Sequence, residues 1–496
     1  MNRGSGLVKV RGLRAGSALM TNETAGTTER RWPALTVLVV SQFMVVLDTA
    51  IVIVALPSIK TALQFSQEDL QWVITGYAIC FGGGLLLGGR LADLLGRRRV
   101  FMAGISLFTV FSLLDGLAWS QASLIAFRSM QGLGAALISP SALSILTTTF
   151  TEGRERNRAL GIWGAASASG GAAGGLLGGA LTSGLGWSWI FFVNVPVGAL
   201  IVAASPRILG ESRAILGRRH FDFAGAAAIT GGLMLLVYVM TRATQQGWGS
   251  PTTIGLMVAS GLLIASFFII ERRSKFALLP LRMLRLRTLA ASNLSGLIQG
   301  AVIVSQFLLL TLYMQEVLHY SPIKTGVVYI PLQLTIILFS SVTEALVTRV
   351  GVKKVLPAGL ALSALAFGLF ARLPVDGQYF TDLLPAFFIS GLGVAMVFVS
   401  MNIGALTGVG SADAGVASGL INMNFQIGGA IGVAAAVTIA TTATTVYVNI
   451  DPTVSAVSGA ALTHGYDVAF WVLAAIAAAG AVLAALMLES RPGGRA

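Results

Sequence analysis

Fourteen apolar runs of about 20 residues, joined by short polar segments, constrain this chain more than any other feature. They lie near 34–56, 70–89, 100–118, 122–146, 159–183, 187–205, 224–243, 253–270, 289–314, 323–346, 355–373, 381–407, 415–440 and 467–488. A helix rises 1.5 Å per residue, so about 20 residues cross the ~30 Å of hydrocarbon in a bilayer. Backbone groups in lipid must be paired within the segment, which leaves α-helices as the reading for runs of this length. With 55% hydrophobic and 11% charged residues, the chain has too little charge to coat soluble domains. The expected fold class is an all-α polytopic membrane protein with 14 transmembrane helices.

The net charge of +13 invites a nucleic-acid reading, but its placement argues otherwise. With the N-terminus inside, 28 of the 33 Lys and Arg fall in the cytoplasmic segments. Lys60, Arg242, Lys324 and Arg372 fall outside, and Arg128 lies within a span. Such a bias orients a membrane protein with both termini in the cytoplasm of a cell membrane and needs no nucleic-acid partner. Residues 1–32 are polar, without the apolar core of a signal peptide, and read as a disordered cytoplasmic tail. Cys80 is the single cysteine, so no intramolecular disulfide or cysteine metal cluster is expected. Neither a phosphate-binding glycine loop nor an H-E-x-x-H pattern occurs. No metal or cofactor is therefore expected, and ATP is not the expected energy source.

The chain also repeats. Gly96-Arg97-Arg98-Arg99-Val100-Phe101-Met102-Ala103-Gly104 aligns with Gly351-Val352-Lys353-Lys354-Val355-Leu356-Pro357-Ala358-Gly359, and Gly132-Leu133-Gly134 with Gly391-Leu392-Gly393. The two offsets are nearly equal, which suggests related six-helix halves at 33–206 and 288–489. Cytoplasmic loops and a two-helix insert fill 207–287, and 490–496 form a cytoplasmic tail. Duplicated halves about a central cavity are a transporter architecture.

Charged residues at membrane depth are costly and are candidates for function. Asp48, Asp115 and Arg128 all fall in the outer half of the bilayer, which makes either an Asp48–Arg128 or an Asp115–Arg128 pair feasible. A carboxylate beside an arginine can exchange a proton as the arginine approaches or withdraws, while the guanidinium stays charged. The alternative is a static pair holding two helices together. Glu271 and Glu344 fall close to cytoplasmic span ends and are expected to be solvated. Tyr77, Asn194, Gln299, Gln306, Tyr329, Gln333, Asn402, Asn422 and Gln426 are candidates to line a partly wet substrate cavity. Interhelical hydrogen bonding accounts for any one of them equally well.

Residues 89–99, G-R-L-A-D-L-L-G-R-R-R, put five charges between two apolar runs. Gly89 and Gly96 allow close approach, Asp93 and Arg97 stand i, i+4 and can pair across a helical turn, and Arg97 and Arg98 sit on the cytoplasmic side. These five residues form a candidate cytoplasmic gate. The stretch resembles the loop between the second and third spans of the major facilitator superfamily. Leu124–Ala136, L-I-A-F-R-S-M-Q-G-L-G-A-A, is similar to that family's span-4 arginine motif, with Arg128 at the arginine. Leu47–Pro57, L-D-T-A-I-V-I-V-A-L-P, resembles the span-1 motif of its fourteen-span drug:proton antiporters. Ala50 and Ile53 replace that motif's usual Thr and Asn. In span 5, Gly170-Gly171 and Gly174-Gly175 stand where the antiporters carry Gly-Pro steps, and Thr348 stands in the second half where Asp93 stands in the first.

The resemblance implies a transporter, not an enzyme, that exports hydrophobic or amphipathic drugs by alternating access in exchange for protons. With the charges at membrane depth, it points to Asp48 and Arg128 for proton coupling, and Asp115 joins them as a candidate by its charge and depth alone. A single chain in the lipid bilayer, handling a small molecule and protons, is the expected unit. A facilitator for a specific metabolite with other coupling is the nearest alternative. A membrane sensor or enzyme stands further off, because no catalytic cluster is visible.

Overall fold

A computed structural model of the chain describes residues 31–150, 154–212, 223–273, 286–407, 414–450, 453 and 455–488. Residues 1–30 of the tail expected at 1–32, the tail expected at 490–496, and most of the loops at 207–222 and 274–285 lie outside the described residues; Arg31 and Trp32 belong to a helix instead. Among the described residues, eleven helices are long and apolar enough to cross a membrane. Three more, Trp72–Leu95, Arg154–Gly184 and Phe223–Gln246, have 24, 31 and 24 residues.

In chain order the long helical segments are α1 (Arg31–Leu63), α2 (Trp72–Leu95), α3 (Arg97–Gly116), α4 (Gln121–Thr149), α5 (Arg154–Gly184), α6 (Trp189–Ile208) and α7 (Phe223–Gln246). They continue as α8 (Pro251–Arg273), α9 (Arg287–Val317, closing in a π-turn), α10 (Pro322–Val350), α11 (Val352–Phe370), α12 (Tyr379–Leu406), α13 (Ala414–Ile450) and α14 (Gly459–Met487).

Local chemistry sets the ends. Only four residues part α3 from α4, and Ser120 makes the break with a reciprocal cap: each of Ser120 and Ser123 accepts the other's backbone N–H. Gly96 alone joins α2 to α3 at φ 112°, and Gly351 joins α10 to α11 at φ 85°, conformations that side chains resist. Several helices outrun their apolar stretches. α13 continues ten residues past the run at 415–440, and there Thr441, Thr442 and Thr445 return their hydroxyls to the carbonyl four residues back.

Packing follows the repeat. α1 packs on α5, α2 and α3 on α4, and α3 on α6; the same pairs recur eight helices later as α9 on α13, α10 and α11 on α12, and α11 on α14. The aligned glycines explain the match. A Cβ on Gly134 would stand 3.1 Å from the Gly104 carbonyl oxygen, and a Cβ on Gly393 would stand 2.9 Å from that of Gly359. The two sets meet where α2 crosses α13 and α5 crosses α10, while α7 and α8 pair and α7 also packs on α2 and α13.

We call the end where α1 begins the near end and the other the far end. The sets are tied at the far end. Lys60 of α1 pairs with Glu316 of α9 at 2.6 Å, Gln315 donates to the Val54 carbonyl at 2.9 Å, and the Ile323 N–H donates to Ser183 at 3.3 Å. α5 meets α10 chiefly through Pro322–Val328, again at the far end. On the α5–α10 side they part toward the near end: Cβ atoms on Gly161 and Gly164 would meet nothing within 4 Å, and Leu338, Val342 and Leu346 are exposed. Glu344 is exposed as expected. Glu271 is not: it is 3% exposed, because it continues the α8 face of Ser260 and Phe267 that packs on α7, where the Ser260 hydroxyl bonds the Gly232 carbonyl.

Candidate functional site

Asp48 lies mid-way along α1, completely buried, and five helices converge on it. Arg128 of α4 donates from its guanidinium to one carboxylate oxygen at 2.7 Å. The other oxygen accepts from Gln131 of α4 at 3.0 Å and from Asn194 of α6 at 2.8 Å. Arg128 also donates to Gln131 and to the Val73 carbonyl of α2, and its guanidinium lies over the Tyr77 ring at 4.4 Å. Behind them Ser112 of α3 accepts from Gln131 and Asn194 and donates to the Phe191 carbonyl at 2.9 Å. Both carboxylate oxygens of Asp48 thus accept hydrogen bonds, as a buried charge requires.

Of the two feasible pairs, the structure forms Asp48–Arg128. Asp115 is also fully buried, one turn beyond Ser112, but among the described residues no donor group reaches either of its oxygens. Sequence reasoning singled out neither Gln131 nor Ser112. Gln131 was visible as the residue three positions after Arg128, hence on the same helix face; nothing local marks Ser112. Asn194, grouped above with the cavity candidates, sits on Asp48 instead.

The span-5 glycines divide by face. Gly170 and Gly174 pack against α1 beside Asp48: a Cβ on Gly170 would lie 2.9 Å from the Phe43 carbonyl oxygen, and one on Gly174 would lie 2.5 Å from the Ala50 Cβ. Gly175 instead faces Gly326 of α10, and Gly171 faces open space. The first two hold α1 in the register that delivers Asp48 to α4.

Most of the remaining polar candidates have other partners. Tyr329 donates to the Phe307 carbonyl at 2.9 Å, Gln306 accepts from Ser390 at 2.8 Å, and Asn402 returns to the Phe398 carbonyl at 2.8 Å. Gln299 is buried without a hydrogen-bond partner among the described residues, Gln333 is half-buried, Asn422 is exposed, and Gln426 lies where α2 crosses α13, against Gly82. The Gln306–Ser390 bond occupies the place in the second set that Asp48–Gln131 occupies in the first. Phe387 stands there where Arg128 would, so the duplicated position is uncharged.

The stretch at 89–99 binds the end of α6. The Arg98 guanidinium donates to the Leu209 and Pro206 carbonyls at 3.1 and 3.4 Å, which caps that helix. The Arg97 N–H bonds the Ser212 carbonyl at 3.0 Å, and Arg98 and Arg99 both approach Glu211. Gly96 ends α2 and opens α3, so the backbone from Asp93 to Arg97 is not the continuous helical turn expected. Asp93's side chain lies outside what is described, and Gly89 lies near Pro140.

The family model described as Major Facilitator Superfamily matches residues 38–433. The chain is 39% identical over 469 residues to the puromycin resistance protein pur8 of Streptomyces alboniger, covering 94% of this chain and 93% of that one. It is 40% identical over 422 residues to the cephamycin export protein CmcT of Amycolatopsis lactamdurans, covering 84% and 86%. Its fold is similar to that of a bacterial homolog of the human lysosomal transporter Spinster in an inward-facing, unoccupied conformation, with TM-score 0.65, 16% identity, and coverage of 92% and 97%. The buried charge site, the repeated six-helix packing and these matches lead to one conclusion: the chain is a multi-pass membrane transporter that belongs to the Major Facilitator Superfamily.

Proposed function

We propose that this transporter is a fourteen-span exporter of hydrophobic or amphipathic small molecules, coupled to the inward flow of protons. The carrying observation is Asp48, a buried carboxylate held by Arg128, Gln131 and Asn194. Such a group changes charge when its arginine withdraws. The relatives named for antibiotic export and resistance support small-molecule cargo. The three further long helices, added to the eleven, support fourteen spans in two six-helix halves around a two-helix insert.

The Lys and Arg bias makes the near end cytoplasmic, with both termini inside the cell membrane. The cleft then opens to the cytoplasm with Asp48 ionised. Cargo enters there, the far end opens, Asp48 takes a proton and cargo leaves. The return step delivers the proton to the cytoplasm. Asp93 and the arginines after Gly96 serve as a near-end gate that closes when the far end opens. The test is pH-driven uptake of puromycin and of a lipophilic cation into inverted vesicles. Asp48→Asn should abolish uptake while leaving insertion intact; unchanged uptake would exclude the coupling role.

A further inference from the structure

The charge site holds two buried acids and one guanidinium. Arg128 is committed to Asp48, whose two oxygens take three donors. Asp115 is as deeply buried but receives none from the described residues. The charged groups that face it are Arg128 of α4 and Asp48 of α1, and Tyr77 of α2 lies within the same cluster. Asp48 and Arg128 cancel, so an ionised Asp115 would leave a net negative charge with no donor among the described residues. Its position compounds the conflict. Asp115 sits in the last turn of α3, where the unpaired carbonyls of the helix end already repel a negative charge. A carboxylate only accepts hydrogen bonds, whereas the protonated acid is uncharged and carries its own donor. Burial without a donor therefore selects the acid.

Geometry adds a direction. Asp115 is one residue from the far-end terminus of α3, while Asp48 is mid-way along α1. Ser112, one turn back on the same face of α3, joins two of the three donors that hold Asp48. We infer that Asp115 is a second proton-binding site, occupied in this near-end-open conformation, that receives protons from the far side and passes them to Asp48. In the transfer the Asp115 O–H bond breaks and the proton joins an Asp48 oxygen. Arg128 keeps its own protons and turns from Asp48 to the newly ionised Asp115. This rests on the coupling role proposed for Asp48 and adds the station before it.

Two measurements on the full-length protein in lipid test it, neither needing a cargo. The first is the infrared carbonyl band of a protonated carboxyl buried from water, recorded at neutral pH. Wild type should show it. Asp115→Asn and Asp115→Leu, neutral replacements that guard against one variant failing to fold, should lose it, and Asp467→Asn in α14 should keep it. The second uses spin labels at the exposed far-end positions Thr61 and Val457, placed on the two helix sets after Cys80→Ser. The wild-type far-end distance should change with pH, and Asp115→Asn should abolish that dependence. A band that survives both Asp115 substitutions, a wild type without the band, or a pH response that Asp115→Asn leaves intact would each overturn the inference. The uptake test of Asp48→Asn is separate. Its failure removes the coupling role of Asp48 while the band still reports on Asp115, and loss of the band assignment leaves Asp48 untouched.

Discussion

Lys60→Gln removes the shortest ionic tie between the two helix sets at the far end, and its effect can be worked from the geometry. The Lys60 ammonium lies 2.6 Å from Glu316, with the two side chains 29% and 16% exposed. At that distance the attraction is about 6 kcal/mol for an effective dielectric of ~20. Desolvation returns most of it. Exposed pairs retain up to about 1 kcal/mol, and charge-assisted hydrogen bonds reach about 1.5–3. This half-buried pair, which also engages Gln67 and receives the Tyr466 hydroxyl at 3.0 Å, should retain about 1–2 kcal/mol. The tie joins helices that must separate for the far end to open, so its loss should favour the far-end-open state about 5- to 30-fold. Spin-label distances between Thr61 and Val457 would report the populations. A double-mutant cycle with Glu316→Gln isolates the pair from the Tyr466 contact, and the charge-swapped double variant should recover part of the closed population. A coupling below about 0.3 kcal/mol, within the additivity expected of independent sites, would refute the reasoning.

Two other outcomes follow from the same contacts. Asp48→Leu strands the Arg128 charge and should destabilise the folded protein by about 3–5 kcal/mol, whereas Asp115→Leu removes an acid with no donor and should change stability by less than about 1 kcal/mol; thermal midpoints in detergent compare them, and equal losses would contradict the site geometry. Gly174→Val drives a side chain into Ala50 and should cost about 1–3 kcal/mol together with most transport, while Gly171→Ala, which points into open space, should leave both near wild type.

Much of this protein was legible in the chain. Hydrocarbon leaves a backbone no partner but itself, so runs of about 20 apolar residues announce helices, while several helices, α13 among them, continue past their apolar runs in the structure. The aligned glycines at 104, 134, 359 and 393 marked the duplicated packing, because a glycine seated against a neighbouring backbone leaves no alternative residue. Arg128 and Asp48 stood out because ionised groups are rare at that depth.

Partnership was not legible. Depth along a helix is a count of residues, but facing depends on how each helix is rotated, and that is set by contacts between segments far apart in sequence. Arg128 and Asn194 reach Asp48 from 80 and 146 residues away. Gly96 interrupts the continuous helical turn expected from Asp93 to Arg97. Asn194 reads as one more polar residue until α6 turns it toward α1. The chain alone determined that buried charges exist and on which helices. Only the tertiary structure decided which acid receives the guanidinium and which is left without a donor, because matching a buried carboxylate takes donors from several helices at once, and α4 and α6 turn theirs to α1.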